Sequence, residues 1–302
     1  MSPATLVERE TAFVLEPLGP FSLEAAARFW GGFTPASHAG PSADGHLHIA
    51  FPVEGSWKTV GVCVRNLGGA ITAQVYGERI DDLDAIRRLT ARILSLDVDG
   101  RGYPEVGTRD PIVAELQKRC AGLRPVCFYS TYEAAVWAIL SQRMQMRQAA
   151  RIKERLREHL GELVDIHGQS MRAFPSPRIL LSVSTFAGLF GSKLDNLHAI
   201  ARAALAGDLE ADYLHSLSEA EALDRLQAVR GIGPFSAELV LLRGAGHPDY
   251  LTLREPRFRR AVERVYGLGH TPTDDELRRL SEVWRPYRTW VTFLLRQAAE
   301  SG

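Results

Sequence analysis

The chain has 302 residues, about two or three ordinary domains' worth, with 45% hydrophobic residues, 24% charged residues and a formal net charge of zero. No stretch approaches the roughly 18 consecutive apolar residues of a membrane span, and MSPATLVERETAF lacks the basic flank and apolar core of a signal peptide. Cys63, Cys120 and Cys127 make neither a disulfide framework nor a four-cysteine cluster site, so the expected setting is reducing and cytoplasmic.

Residues 1–112 predict a small α/β domain with an antiparallel sheet. FSLEAAARFW has helical spacing. A Gly- and Pro-bearing segment at 32–46 follows, then the candidate strand HLHIAFPV. WKTVGVCVRN and AITAQVYGE alternate apolar with other residues around LGG, the pattern of two strands joined by a hairpin. DDLDAIRRLTARIL closes the domain with a helix.

From 113 to 302 strand signals fade, and the spacing predicts an all-α body. STYEAAVWAILSQRMQMRQAARIKERLREHLG opens on a capping box, Ser130 with Glu133, and can be two helices broken near Ser141–Met144. Shorter helices are expected at about 176–190 and 192–206. SLSEAEALDRLQAV opens on a second capping box, Ser218 with Glu221, and PFSAELVLLRG places Pro234 at a first helical position. EPRFRRAVERVYG and DDELRRLSEVWRPYRTWVTFLLRQAAE complete the series. Trp137, Trp284 and Trp290 sit at helical spacing, where core packing is the default. No internal repeat or low-complexity tract interrupts the chain.

The charge is unevenly spread. Residues 1–110 carry 14 acids and 10 bases, whereas residues 225–302 carry 9 acids and 13 bases, a mild bias toward a polyanion-binding C-terminal part. Within it, at about 219–244, Arg230-Gly231-Ile232-Gly233 separates two helices. The glycines allow positive φ and close backbone approach, and Ile232 can plug back between the helices. The amides of the loop and of the next helix N-terminus then form an anion site that ignores base sequence. An ordinary corner using glycines for geometry is the other reading. Val229, Gly231, Ile232, Gly233 and Ser236 are the candidate DNA-binding residues of this turn, and its backbone carbonyls are a possible monovalent-cation site.

VRGIGPFSAELVLLRG resembles the hairpin of the helix-hairpin-helix DNA glycosylases, nearest to the bacterial 3-methyladenine DNA glycosylase II (AlkA-like) branch. LSLDVDG at 94–100, EAAVWAILSQRMQMRQAA at 133–150 and WRPYRTWVTFLL at 284–295 are similar to other stretches of that branch, so the resemblance covers roughly 94–302. It implies an α+β fold, the N-terminal α/β domain being followed by a glycosylase body of two helical subdomains. It also implies duplex DNA with a damaged base as partner, no cofactor, no catalytic metal, no membrane and no obligate protein partner. The implied reaction flips an alkylated base out of the duplex and hydrolyses its N-glycosidic bond in base-excision repair. The alternative is a catalytically inactive or weak DNA-binding, lesion-sensing protein of the same fold.

The resemblance also implies site residues. The family's catalytic aspartate lies about two dozen residues after the first hairpin glycine, where this chain has Glu255, in YLTLREPRFRRA. Glu255, before Pro256, can be the N-cap of a helix whose dipole favours a carboxylate. It either serves catalysis or pairs with its arginine neighbours. Asp249 is a rival acid, with loop capping its default. The Schiff-base lysine of the bifunctional members would fall at Phe235, so no AP-lyase activity is expected. Gln142 and Arg143 occupy the position of the wedge that fills the gap left by a flipped base, with Arg143 otherwise a solvated arginine. Arg254 and Arg257 are further phosphate candidates. Phe235, Leu239, Arg288 and Arg296 are the candidate pocket residues. Arg288 is open between a DNA contact and a structural ion pair, and Arg296 would repel a cationic base.

Overall fold

The computed structural model describes residues 11–32, 45–78 and 80–300. Residues 1–10 of the leader reading and most of the 32–46 segment lie outside them. β1 (Ala12–Leu15), β2 (Leu47–Pro52), β3 (Thr59–Leu67) and β4 (Ala70–Tyr76) form an antiparallel sheet in the order β1-β4-β3-β2. Gly68 and Gly69 take positive φ at the β3–β4 turn, as LGG implies. β1 carried no sequence signal; its four residues pair along β4 from Ala12↔Gln74 to Leu15↔Ile71. One sheet face, with Ile49, Phe51, Val62 and Val64, packs on α1 (Leu23–Gly32) and α2 (Leu83–Ile93).

The body that follows is helical: α3 (Tyr103–Arg109), α4 (Pro111–Arg119), α5 (Thr131–Ser141), α6 (Met146–Leu160), α7 (Pro177–Leu181), α8 (Lys193–Ala206), α9 (Ala211–Ser216), α10 (Glu219–Ala228), α11 (Pro234–Arg243), α12 (Pro256–Tyr266), α13 (Asp274–Ser281) and α14 (Arg288–Glu300). α5 is buried from Thr131 through Leu140, the mark of a helix packed on every side. Trp137 lies in that central cluster, and Trp284 and Trp290 lie in a second one under α12 and α14.

Three features differ from the sequence expectations. The body is not purely helical, because β5 (Leu163–Ile166) and β6 (Gln169–Arg172) form a hairpin that lies on the second face of the N-terminal sheet. Its strands are too short to register against the surrounding helical pattern. There is space for it because Gly61 has no side chain: a Cβ there would come within 2.7 Å of Ile166. The helix expected over 176–190 stops at Leu181, and Gly188 and Gly191 beyond it take positive φ. Finally, the second capping box closes in full, but at the first only Ser130 caps; the Glu133 side chain turns to a buried Lys153 at 2.5 Å.

The stretch LSLDVDG is a crossing point rather than an element. Ser95 has φ 53°, and the buried Arg124 guanidinium donates to the carbonyls of Leu18, Pro20, Ser95 and Val98 at 2.6–3.2 Å. One arginine of the helical part thereby satisfies carbonyls of two separate stretches, 18–20 and 95–98, that no ladder serves.

Candidate active site and hairpin

The turn after α10 has the predicted geometry. Val229 ends the helix, Gly231 has φ 93°, Ile232 is buried in the main core, and Pro234 starts α11. The two glycines are present for different reasons. A Cβ on Gly231 would sit 2.7 Å from the Asn196 side chain, so protein packing alone demands glycine there. A Cβ on Gly233 would meet nothing within 4 Å, and its φ of −91° suits any residue. Gly233 is the N-cap of α11, where glycine is well tolerated, and the space its side chain would fill is open to the outside.

Gln142 and Arg143 lie in the break between α5 and α6, beside this turn. Gln142 donates its side-chain amide to the Gly231 carbonyl at 2.8 Å, so it braces the hairpin. Of the carbonyls offered as a cation site, Val229's accepts from Ile232 N and Gly231's from Gln142. Lys193, from α8, donates to the Leu140 and Gln142 carbonyls, and burial lowers its pKa. Arg143 stands exposed at the tip with φ 53°, an uncommon conformation for a side-chain-bearing residue. Ser236 is buried at the start of α11, 3.5 Å from the Gln142 amide.

Behind the hairpin, a cavity of about 270 Å³ opens between α11, α14, the start of α12 and the end of α1. Phe235, Leu239, Arg296, Arg257 and Glu255 all line it. Phe235 is 45% exposed at its mouth. Glu255 is the N-cap of α12: one carboxylate oxygen accepts from Arg257 N at 3.0 Å, and the other lies 3.7 Å from the Arg296 guanidinium. Its partner is therefore a cavity arginine of α14. The sequence neighbours are engaged elsewhere: Arg259 with Asp274 and Arg254 with Glu238 at 3.3 Å.

Arg288 does not line the cavity. It is buried, and it holds Asp249 by two guanidinium contacts of 2.8 and 3.2 Å while its backbone N–H donates to the same carboxylate at 3.1 Å. Arg285 adds another contact at 3.1 Å. Asp249 thus ties the loop after α11 to the start of α14, and neither it nor Arg288 faces the cavity.

The cavity contains residues that sequence reading did not find. Glu238, one turn beyond Phe235 on α11, is buried and accepts from Thr252 Oγ1 at 2.6 Å and Tyr250 OH at 3.2 Å. Burial, and next the Glu238 charge, push the Tyr250 phenol up to about 12. An acid inside an apolar helical stripe was the available signal. Phe29 of α1 and Phe293 of α14 supply an edge-to-face pair at 4.8 Å, with the buried Arg243 guanidinium 5.7 and 5.2 Å from the two rings. Burial depresses the Arg243 pKa to about 10. No local pattern brings Phe29 here, since it comes from α1, far from the other lining residues along the chain. Two buried polar atoms on lining residues, Thr292 Oγ1 and Arg296 Nε, have no hydrogen-bond partner among the described residues. Such atoms are costly unless something outside the chain satisfies them.

The family profile described as HhH-GPD superfamily base excision DNA repair protein matches residues 136–286, half of the chain. A DNA-3-methyladenine glycosylase of Bacillus subtilis (strain 168) is 25% identical over 66% of this chain and 67% of its own length. DNA-3-methyladenine glycosylase 2 of Escherichia coli (strain K12) is 28% identical over 56% of this chain and 58% of its own. The chain therefore spans about three fifths to two thirds of these two relatives. In structure, the 3-methyladenine DNA-glycosylase from Archaeoglobus fulgidus superposes with a TM-score of 0.78 at 22% identity, covering 95% of this chain and 98% of that one. The 8-oxoguanine glycosylase/lyase of Clostridium acetobutylicum, solved with duplex DNA, reaches 0.66 at 16% identity over 96% and 98%. At those identities both likenesses speak for the fold.

Proposed function

Because the chain belongs to the HhH-GPD superfamily of base-excision DNA repair proteins, we propose that it is a monofunctional DNA glycosylase. In this reading it flips an alkylated base from duplex DNA into the 270 Å³ cavity and hydrolyses the N-glycosidic bond. The observation that carries the proposal is Glu255: a cavity carboxylate anchored through one oxygen to a helix N-terminus, with the other oxygen only loosely engaged.

The chain's own residues divide the work. The Gly233 amide and the α11 N-terminus hold a phosphate without reading sequence. Arg143, at the tip beside the hairpin, fills the space the base leaves. Phe235 meets the entering base, and the Phe29–Phe293 pair forms an apolar wall of the cavity. As the C1′–N bond breaks, its electron pair leaves with the base and positive charge grows on the sugar. The Glu255 carboxylate stabilises that charge and orients water, whose oxygen bonds to C1′ while its proton passes to the carboxylate or to solvent. Phe235 stands where the resemblance puts the Schiff-base lysine of bifunctional members, which supports water as the nucleophile and a reaction that leaves the strand uncut.

Four arginines and three glutamates line the cavity, so it is no acidic trap for a cation. The unpartnered Thr292 hydroxyl and Arg296 Nε instead suit a neutral alkylated base that offers acceptor atoms. The cytoplasm or nucleoid is the corresponding place of action. Among the described residues no helix is long and apolar enough to cross a membrane.

The second reading, a binder without activity, is favoured by the pairing of Glu255 with Arg257 N and Arg296. Duplexes carrying different single lesions, incubated with wild type and Glu255→Gln, separate the two. Release by wild type and not by the variant supports hydrolysis. Tight binding without release from any lesion overturns it, and strand nicking without alkali overturns the monofunctional assignment.

A further inference from the structure

On the sheet face turned away from α1 and α2, and outside the cavity, four metal-binding side chains converge. His46 precedes β2 and His48 lies within it, two residues apart and so on one face. Cys63 of β3 is the direct cross-strand partner of His48. His167 comes from the β5–β6 turn, where it and Gly168 have φ 53° and 78° in a two-residue hairpin loop. One ligand atom from each residue lies within 4.8 Å of the other three. We propose that these four residues bind a zinc ion that clamps the β5–β6 hairpin onto the N-terminal sheet.

The donor set is three imidazoles and one thiolate, which matches a borderline-soft tetrahedral ion. In such a site, Zn–N of about 2.1 Å and Zn–S of about 2.3 Å place ligand atoms roughly 3.4–3.7 Å apart. Cys63 Sγ and His46 Nδ1 are already 3.6 Å apart. The remaining gaps close by about 1 Å, within the reach of side-chain rotation. His48 is set for the role, because its Nδ1 donates to the Gln169 amide oxygen at 3.0 Å and leaves the lone pair on Nε2. That bond is the outer support that ligating histidines ordinarily have. Arg65 lies 3.5 Å from His167 Nε2 and Tyr76 OH 2.9 Å from it; both give way when the ion takes that nitrogen. On binding, the Cys63 thiol loses its proton to solvent, so affinity rises with pH. Three ligands belong to the N-terminal sheet and one to a hairpin a hundred residues later, so the bond would join parts that the chain itself connects only through helices.

The test uses the full chain, stripped by chelator and dialysed, then titrated with Zn²⁺ and Co²⁺. One Zn²⁺ per chain is expected. Co²⁺ should give the intense visible bands of a tetrahedral ion and a thiolate charge-transfer band. Cys63→Ser should remove the charge-transfer band, and His167→Ala should weaken Zn²⁺ binding at least about 100-fold. Zn²⁺ should also slow hydrogen exchange in residues 163–172 of wild type and not of His167→Ala. Absence of saturable binding to wild type overturns the proposal, as does a cobalt spectrum that Cys63→Ser leaves unchanged. Neither readout involves DNA or base release.

Discussion

Asp249 and Glu255 stand six residues apart, and each faces an arginine of α14, yet their sites differ in kind. Their side chains are almost equally exposed, 18% and 16%, so burial does not distinguish them. Hydrogen bonding does. Both oxygens of Asp249 are taken, by Arg288 and Arg285 at 2.8–3.2 Å. Glu255 spends one oxygen on its helix cap and leaves the other in a 3.7 Å contact beside a cavity. A carboxylate saturated with donors is a strut, whereas one held at a single point retains capacity for a transition state.

Each acid can be removed to break this contrast. The largest expected effect is catalytic: Glu255→Gln should lower single-turnover base release about 10²–10³-fold while shifting the melting temperature little. Asp249→Ala should do the reverse. It leaves Arg288 buried without its partner, which should cost about 3 kcal/mol of stability in denaturant unfolding while base release per folded molecule persists. A folded Asp249→Ala that no longer releases base would reverse the two roles. Next in size, Gly233→Asp should weaken DNA binding about tenfold at every sequence, because it adds a charge at a phosphate contact. Unchanged affinity would leave the hairpin as a mere corner.

The smallest effect concerns pH. Burial lowers the pKa of His215 and of His247 below 6.5, so both resist protonation in the folded chain. The unfolded chain then binds more protons below that value, and stability present above about pH 6.5 is lost progressively as pH falls. His270, fully exposed and raised by Glu276, acts in the opposite sense but is screened by solvent. The melting temperature of His215→Asn should therefore fall less than that of wild type between pH 7.5 and 5.5. Equal slopes would assign the effect to other groups.

The local features legible in the chain were those whose cause is local. The α5–α6 break, the Ser218 box, the Gly231 turn and the Glu255 cap follow from neighbours within a few residues, whose hydrogen bonds the sequence itself displays. The family resemblance also pointed to Glu255, Phe235, Leu239 and Arg296, which share one cavity, and to Arg288, which stands outside it. Tertiary structure decided what those residues meet. Arg296 joins Glu255, Arg288 retires to Asp249, Phe29 arrives from α1, and His46 and His48, just before and on β2, acquire Cys63 and His167. None of these pairings leaves a local trace, because a side chain's periodicity tells which face it occupies and not which distant segment covers that face.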